Sequence, residues 1–127
     1  MSKLIDALMV KPMEIPCITR LCTDRRYLDA AVSVGADMEC SATVLEIANG
    51  IGILYAWDAP SLAMLGNRRI GKCIIPGIFY VVRYKDGQLD SLSPDEIAKF
   101  TSRFQELEFF THDEIVDSWF DGLFCAL

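Results

Sequence analysis

The chain has 127 residues, 12 lysines and arginines against 18 aspartates and glutamates, a formal net charge of −6 and a hydrophobic fraction of 52%, which suits one domain with a single core. A sequence pI near 4.6 speaks against a nucleic-acid binder that works by neutralising phosphates. Charges also interrupt every apolar stretch before the roughly 18 residues needed to cross a bilayer, so no membrane partner is expected.

From the start of the chain, Leu4 to Val10 and Ile15 to Leu21 read as two strands joined by a proline-containing turn. Asp6 splits the first apolar run and Lys11-Pro12 follow it without a cleavage site, so no signal peptide is read and a cytoplasmic location is expected. Thr23-Asp24 offers an N-cap ahead of Tyr27, Leu28, Ala31 and Val32, whose spacing makes one helical face over about 24–34, with Gly35 as the stop. Ala42 to Ala48 and Ile51 to Trp57 flank Asn49-Gly50, the pattern of a hairpin closed by a type I′ turn. After Asp58-Ala59-Pro60, the stretch from Ser61 to Leu65 is one helical turn or a short strand, ended by Gly66-Asn67. Pro76-Gly77 breaks the next apolar run, leaving a strand from Ile78 to Tyr84 that Asp86-Gly87 turns back into Gln88 to Leu92. Ser93-Pro94-Asp95-Glu96 has the grammar of a helix start, namely a serine N-cap, proline at N1 and glutamate at N3, and Ile97, Phe100 and Phe104 supply that helix's buried face.

A second capping box, Thr111 to Glu114, opens a last helix with Ile115, Val116, Trp119, Phe120 and Leu123 as its apolar stripe. Asp113, Glu114, Asp117 and Asp121 fall on or near the opposite face. The 24 residues from Phe104 onward hold six carboxylates and no lysine or arginine, while the 103 before them balance 12 acids against 12 bases. Acidity is therefore local. The expected organisation is an α+β core over 1–104, with a mostly antiparallel sheet of about five strands and helices packed on one face, followed by an acidic amphipathic helix over 105–127 that packs on or extends the core.

Leu62, Leu65, Asn67-Arg68, Ile75, Gly77 to Val82, Leu92 to Glu96 and Phe104 together resemble a family of small uncharacterised proteins encoded by bacterial phages and conjugative elements. The resemblance covers roughly residues 4–104 and leaves out the acidic end. The chain has Asp58-Ala59-Pro60 where the family has a Glu-Glu-Gly-like turn, one carboxylate fewer. The resemblance implies a cytosolic accessory protein of a mobile element and carries no chemistry to transfer.

Three functional readings follow. In the first, the acidic and aromatic end docks on a protein partner, as an inhibitor or adaptor, with Asp113, Glu114, Asp117, Trp119, Phe120 and Asp121 as the interacting residues and homodimerisation through the same helix as its quieter version. In the second, Asn67, Arg68 and Arg69 form a loop that binds a small anion or a nucleotide bidentately, with Asp58 close by. Its structural counterpart has Asn67 in a left-handed turn and Arg68 paired with Asp58. An enzyme ranks last: the only histidine, His112, sits at a helix N1 position, and no spacing of carboxylates or cysteines singles out a catalytic pair, a metal site or a cofactor. Five cysteines without a CxxC pair suggest neither a disulfide framework nor a zinc knuckle.

Overall fold

The computed structural model of the chain describes residues 3–34, 39–56 and 65–118. Strands β1 (Leu4–Val10) and β2 (Cys17–Cys22) form a hairpin and are followed by helix α1 (Arg25–Val32). Strands β3 (Ala42–Ala48) and β4 (Ile51–Ala56) form the second hairpin, β5 (Gly66–Ile70) and β6 (Cys73–Pro76) the third, and β7 (Phe79–Lys85) and β8 (Gln88–Asp90) the fourth. Helix α2 (Pro94–Arg103) comes next, and a further helix, α3, opens at His112 and is described as far as Ser118.

Six strands make one antiparallel sheet in the order β2-β1-β7-β4-β3, with β8 also paired to β7, while β5 and β6 form a separate two-stranded sheet. This is an α+β domain, as the alternation of hairpins and helices implies. Its central strand is β7, where Val81 lies opposite Leu8 of β1 on one side and Ile53 of β4 on the other. Every residue of β4 is buried, as are Phe79 to Val82 of β7. Continuous apolar runs of this kind mark strands covered on both faces.

The helices accordingly do not share one face. Leu28 and Val32 of α1 pack against Ile5, Ala7, Leu54, Tyr80 and Val82 on one side of the sheet. On the other side, Phe100 of α2, Phe104, and Ile70 and Ile75 of the β5–β6 hairpin cover Leu8, Ile53, Phe79 and Val81. The alternation along β7 divides its side chains between the two clusters, so each face needs its own lid.

Two turns differ in kind. At Asp86-Gly87 both residues take positive φ, 54° and 77°, as a type I′ turn requires. At Asn49-Gly50 only Gly50 does (77°), and the β3–β4 register shifts between Glu46 and Ala48. The Asn-Gly hairpin is present, and an irregular ladder replaces the expected I′ geometry.

Helix α2 begins as its sequence dictates. Ser93 Oγ accepts a hydrogen bond from Glu96 N at 3.2 Å, and Glu96 Oε1 accepts one from Ser93 N at 2.8 Å. The other oxygen, Glu96 Oε2, accepts from Arg83 Nη2 of β7, so one carboxylate both caps the helix and ties it to the sheet. Burial pushes the Glu96 carboxyl up, but the hydrogen bonds from Ser93 and Arg83 outweigh it and hold the group below its ordinary value. At the far end Phe104 stacks near Phe100 and meets Phe79 edge-on, with centroids 5.2 Å apart.

Candidate functional site

Asn67 and Arg68, the most suggestive polar pair in the sequence, lie inside the protein. They belong to strand β5, not a loop, and are 0% and 1% exposed. Asn67 Nδ2 donates to Val10 O at 2.8 Å and to Gly77 O at 2.7 Å, joining the end of β1 to the residue that follows β6. Asn67 is not among the residues at positive φ, so the left-handed turn expected of it is absent. The Arg68 guanidinium donates from Nε and Nη2 to Phe104 O at 3.1 and 2.8 Å, and from Nη2 to Glu14 O at 2.8 Å. Its Nη1 donates to Asn67 O at 3.3 Å and Asn67 Oδ1 at 2.8 Å. A guanidinium has five N–H donors, and these contacts engage all of them. Burial lowers the Arg68 pKa, against the opposing pull of the Glu108 carboxylate. The pair therefore fastens the β5–β6 hairpin to β1, to the turn at Glu14 and to the end of α2. Asp58 lies outside the described residues.

Arg69 points the other way and is exposed. Its main-chain N–H donates to Glu108 Oε2 at 3.3 Å, and its guanidinium lies 5.6 Å from the centre of the Phe110 ring. Through Arg69 the hairpin holds the start of the acidic segment. The second capping box is formed: Glu114 N donates to Thr111 Oγ1 at 3.2 Å, and Thr111 N to Glu114 Oε1 at 2.9 Å. Ile115 is 2% exposed, and Ser118 Oγ accepts from Ile74 N of β6 at 3.0 Å. A Cβ on Gly66 would come within 3.1 Å of Ile115 Cδ1 and of the Phe110 side chain, so any larger residue would press these side chains outward by a few tenths of an ångström.

Asp113, Glu114 and Asp117 are exposed, as is His112. Hydrogen bonds from Thr111 hold the Glu114 carboxyl below its ordinary value. Trp119, Phe120 and Asp121 lie outside the described residues. Leu107 and Val116 are 43% exposed and Phe109 is 82% exposed. The described part of the segment thus has a seated side, with Phe110, Ile115 and Ser118, and an outer side that presents apolar groups among carboxylates.

A feature that the sequence did not single out lies on the α1 face of the sheet. A cleft of about 640 Å³ is bounded by residues of α1, β3, β4, β7 and β8 together with Lys3 and Thr23. Its one sequence signal is Arg25 beside Arg26 in the first turn of a helix, where the dipole disfavours cations.

Among the described residues, no group of three or more histidine, cysteine, aspartate and glutamate side chains could hold a metal ion. Cys17, Cys22 and Cys73 are free thiols. Burial raises the Cys73 thiol pKa, the opposite of what activates a nucleophile. No helix among the described residues is long and apolar enough to cross a membrane. Compared with known proteins, the chain matches no family model, no curated protein and no solved structure.

Proposed function

We propose that the chain acts by binding another protein, as an inhibitor or adaptor, through the outer side of its acidic C-terminal segment. The supporting observation is Phe109, a large aromatic residue 82% exposed in a segment with six carboxylates and no lysine or arginine. Exposed apolar groups rimmed by charge of one sign suit a partner that offers an apolar pocket inside a basic surface. Seating on the hairpin through Glu108, Ile115 and Ser118 presents the face already ordered, which lowers the entropic cost of association. In this reading the partner is met in the cytoplasm, the compartment that suits the free thiols of Cys17, Cys22 and Cys73, and the chain serves as an accessory protein of a mobile element. An anion at Asn67 to Arg69 would meet, at Arg68, a guanidinium whose donors are already engaged, so that reading gives way to the first.

The test compares the wild-type chain with Phe109→Asp and with the double variant Asp113→Lys, Asp117→Lys in affinity capture from a host lysate at low and at raised salt. A partner retained by the wild type, weakened by salt and lost from both variants, with thermal stability unchanged, is the expected result. The same set of proteins on all three baits would overturn the proposal. Sedimentation of the pure chain over a range of concentrations then reports whether a second copy is the partner.

A further inference from the structure

The face of the sheet covered by α1 is not covered along its whole length. Helix α1 has eight residues, and beside its first turn the cleft of about 640 Å³ opens, a volume typical of small-molecule sites. It lies toward the end of the sheet where β7 exchanges one neighbour for another, β1 pairing with Phe79 to Val81 and β8 with Arg83 to Lys85.

The lining is divided by chemistry. Leu28, Val44, Leu54, Leu89 and Tyr84 provide apolar surface. A Cβ on Gly52 would lie 2.6 Å from Val44 Cγ1 and 3.2 Å from Tyr84 Cβ, so the glycine lets these two side chains draw together. The polar part consists of Lys3, Arg25, Thr23, Thr43 and Gln88, and no carboxylate lines the cleft among the described residues. In a chain with 18 acids and 12 bases, this concave surface presents two cations, Lys3 and Arg25, whose carboxylate partners Asp90 and Asp29 are not among its described lining residues.

Arg25 is also held in position. Its Nη2 donates to Ala42 O at 2.7 Å and its Nε lies 3.3 Å from Asp29 Oδ1. Asp29 Oδ1 in turn accepts from Ala42 N at 2.9 Å. The guanidinium is thereby braced between α1 and β3, while its Nη1 donors have no partner among the described residues. Lys3 Nζ is 3.5 Å from Asp90, a pair with both side chains at least half exposed and easily exchanged for a stronger contact.

We propose that this cleft binds a small organic anion whose carboxylate or phosphate is met by Arg25 and Lys3 and whose apolar body rests on Leu28, Leu54 and Tyr84. The exposed Lys3–Asp90 pair loses little when the anion enters, while Arg25 keeps its brace to Asp29 and Ala42 and offers its remaining N–H donors to a planar or tetrahedral oxyanion. The inference does not depend on the C-terminal surface.

The experiment is an amide NMR titration of the full chain with phenyl phosphate, benzoate and, as the neutral counterpart, benzyl alcohol. Saturable shifts at Arg25, Val44, Tyr84 and Leu89 with one or both anions are expected, and which anion binds identifies the head group. Arg25→Ala should weaken binding about tenfold. Lys3→Ala, which leaves the bracing of Arg25 intact, should weaken it by about threefold. Arg26→Ala should leave it within about twofold, since that side chain is 90% exposed and does not line the cleft. Absence of saturation by either anion below about 10 mM, equal binding of benzyl alcohol, or equal losses in Arg25→Ala and Arg26→Ala would each overturn the proposal.

Discussion

Arg68 is a buried cation held by oxygen atoms that carry only partial charge. One of them, Phe104 O, belongs to the C-cap of α2, where the helix dipole places its negative end. Replacing Arg68 with methionine keeps the volume but strands the carbonyls of Glu14 and Phe104 and the amide oxygen of Asn67. A loss of roughly 3–5 kcal/mol is expected from urea unfolding, and Arg68→Lys should recover only part of it, because an ammonium cannot reach all five contacts. Tyr80 makes a second prediction at this scale. Its hydroxyl donates to Ala31 O at 3.1 Å, and burial, with a smaller effect of Cys17, pushes its pKa up to about 12. A folded value above the unfolded one near 10 means stability that is fully present below pH about 10 and lost as pH rises toward 12. The loss should be on the order of 2–3 kcal/mol across that window. In Tyr80→Phe the alkaline slope should flatten, at a cost near neutrality of about 1 kcal/mol for the missing hydrogen bond, both read from denaturation at a series of pH values.

At the scale of elements, the Ser93 to Glu96 box predicts two effects. Ser93→Ala should cost about 1 kcal/mol. The Glu96 carboxyl, held below its unfolded value, contributes stability that is present above pH about 4.3 and lost as pH falls through the folded value. Glu96→Gln should therefore flatten the acid limb of the stability curve, as measured by thermal melts between about pH 5 and 3. Gly52→Ala is expected to cost roughly 1–3 kcal/mol, because Val44 is β-branched and cannot swing away from the added methyl. These elements also show which parts of the fold were legible in the sequence. Ser93-Pro94-Asp95-Glu96, Asp86-Gly87 and Thr111 to Glu114 each state their structure within four residues, and all three formed as read. Strand β5 was not legible, since Gly66-Asn67 looks like a terminator until Asn67 finds Val10 and Gly77 and Arg68 finds Phe104. Those partners are distant in sequence, and their contact energies override the local turn preference. The cleft is harder still to read, because its two cations and its apolar lining come from separate elements that only the fold brings together.

For the whole molecule, the acidic segment is both an attachment and a lid. Deleting 105–127 removes the Ile115 and Phe110 packing on Gly66 and leaves Ile74 N without the Ser118 hydroxyl. Roughly 2–4 kcal/mol should be lost, seen as a melting midpoint lower by about 10 °C, while the sheet and α2 persist by circular dichroism. The placement of β7 has a kinetic consequence. It is the central strand, yet it follows six others in the sequence, and β1 and β4 are bridged only through it. During synthesis the β1–β2 and β3–β4 hairpins leave the ribosome with their inner edges unpaired, and they must wait for β7 before either edge is satisfied. Closing contacts between such distant parts of the chain slows folding, and open strand edges recruit other chains in the meantime. The yield of this protein in a cell should therefore depend more on how quickly β7 docks than on how stable the finished sheet is.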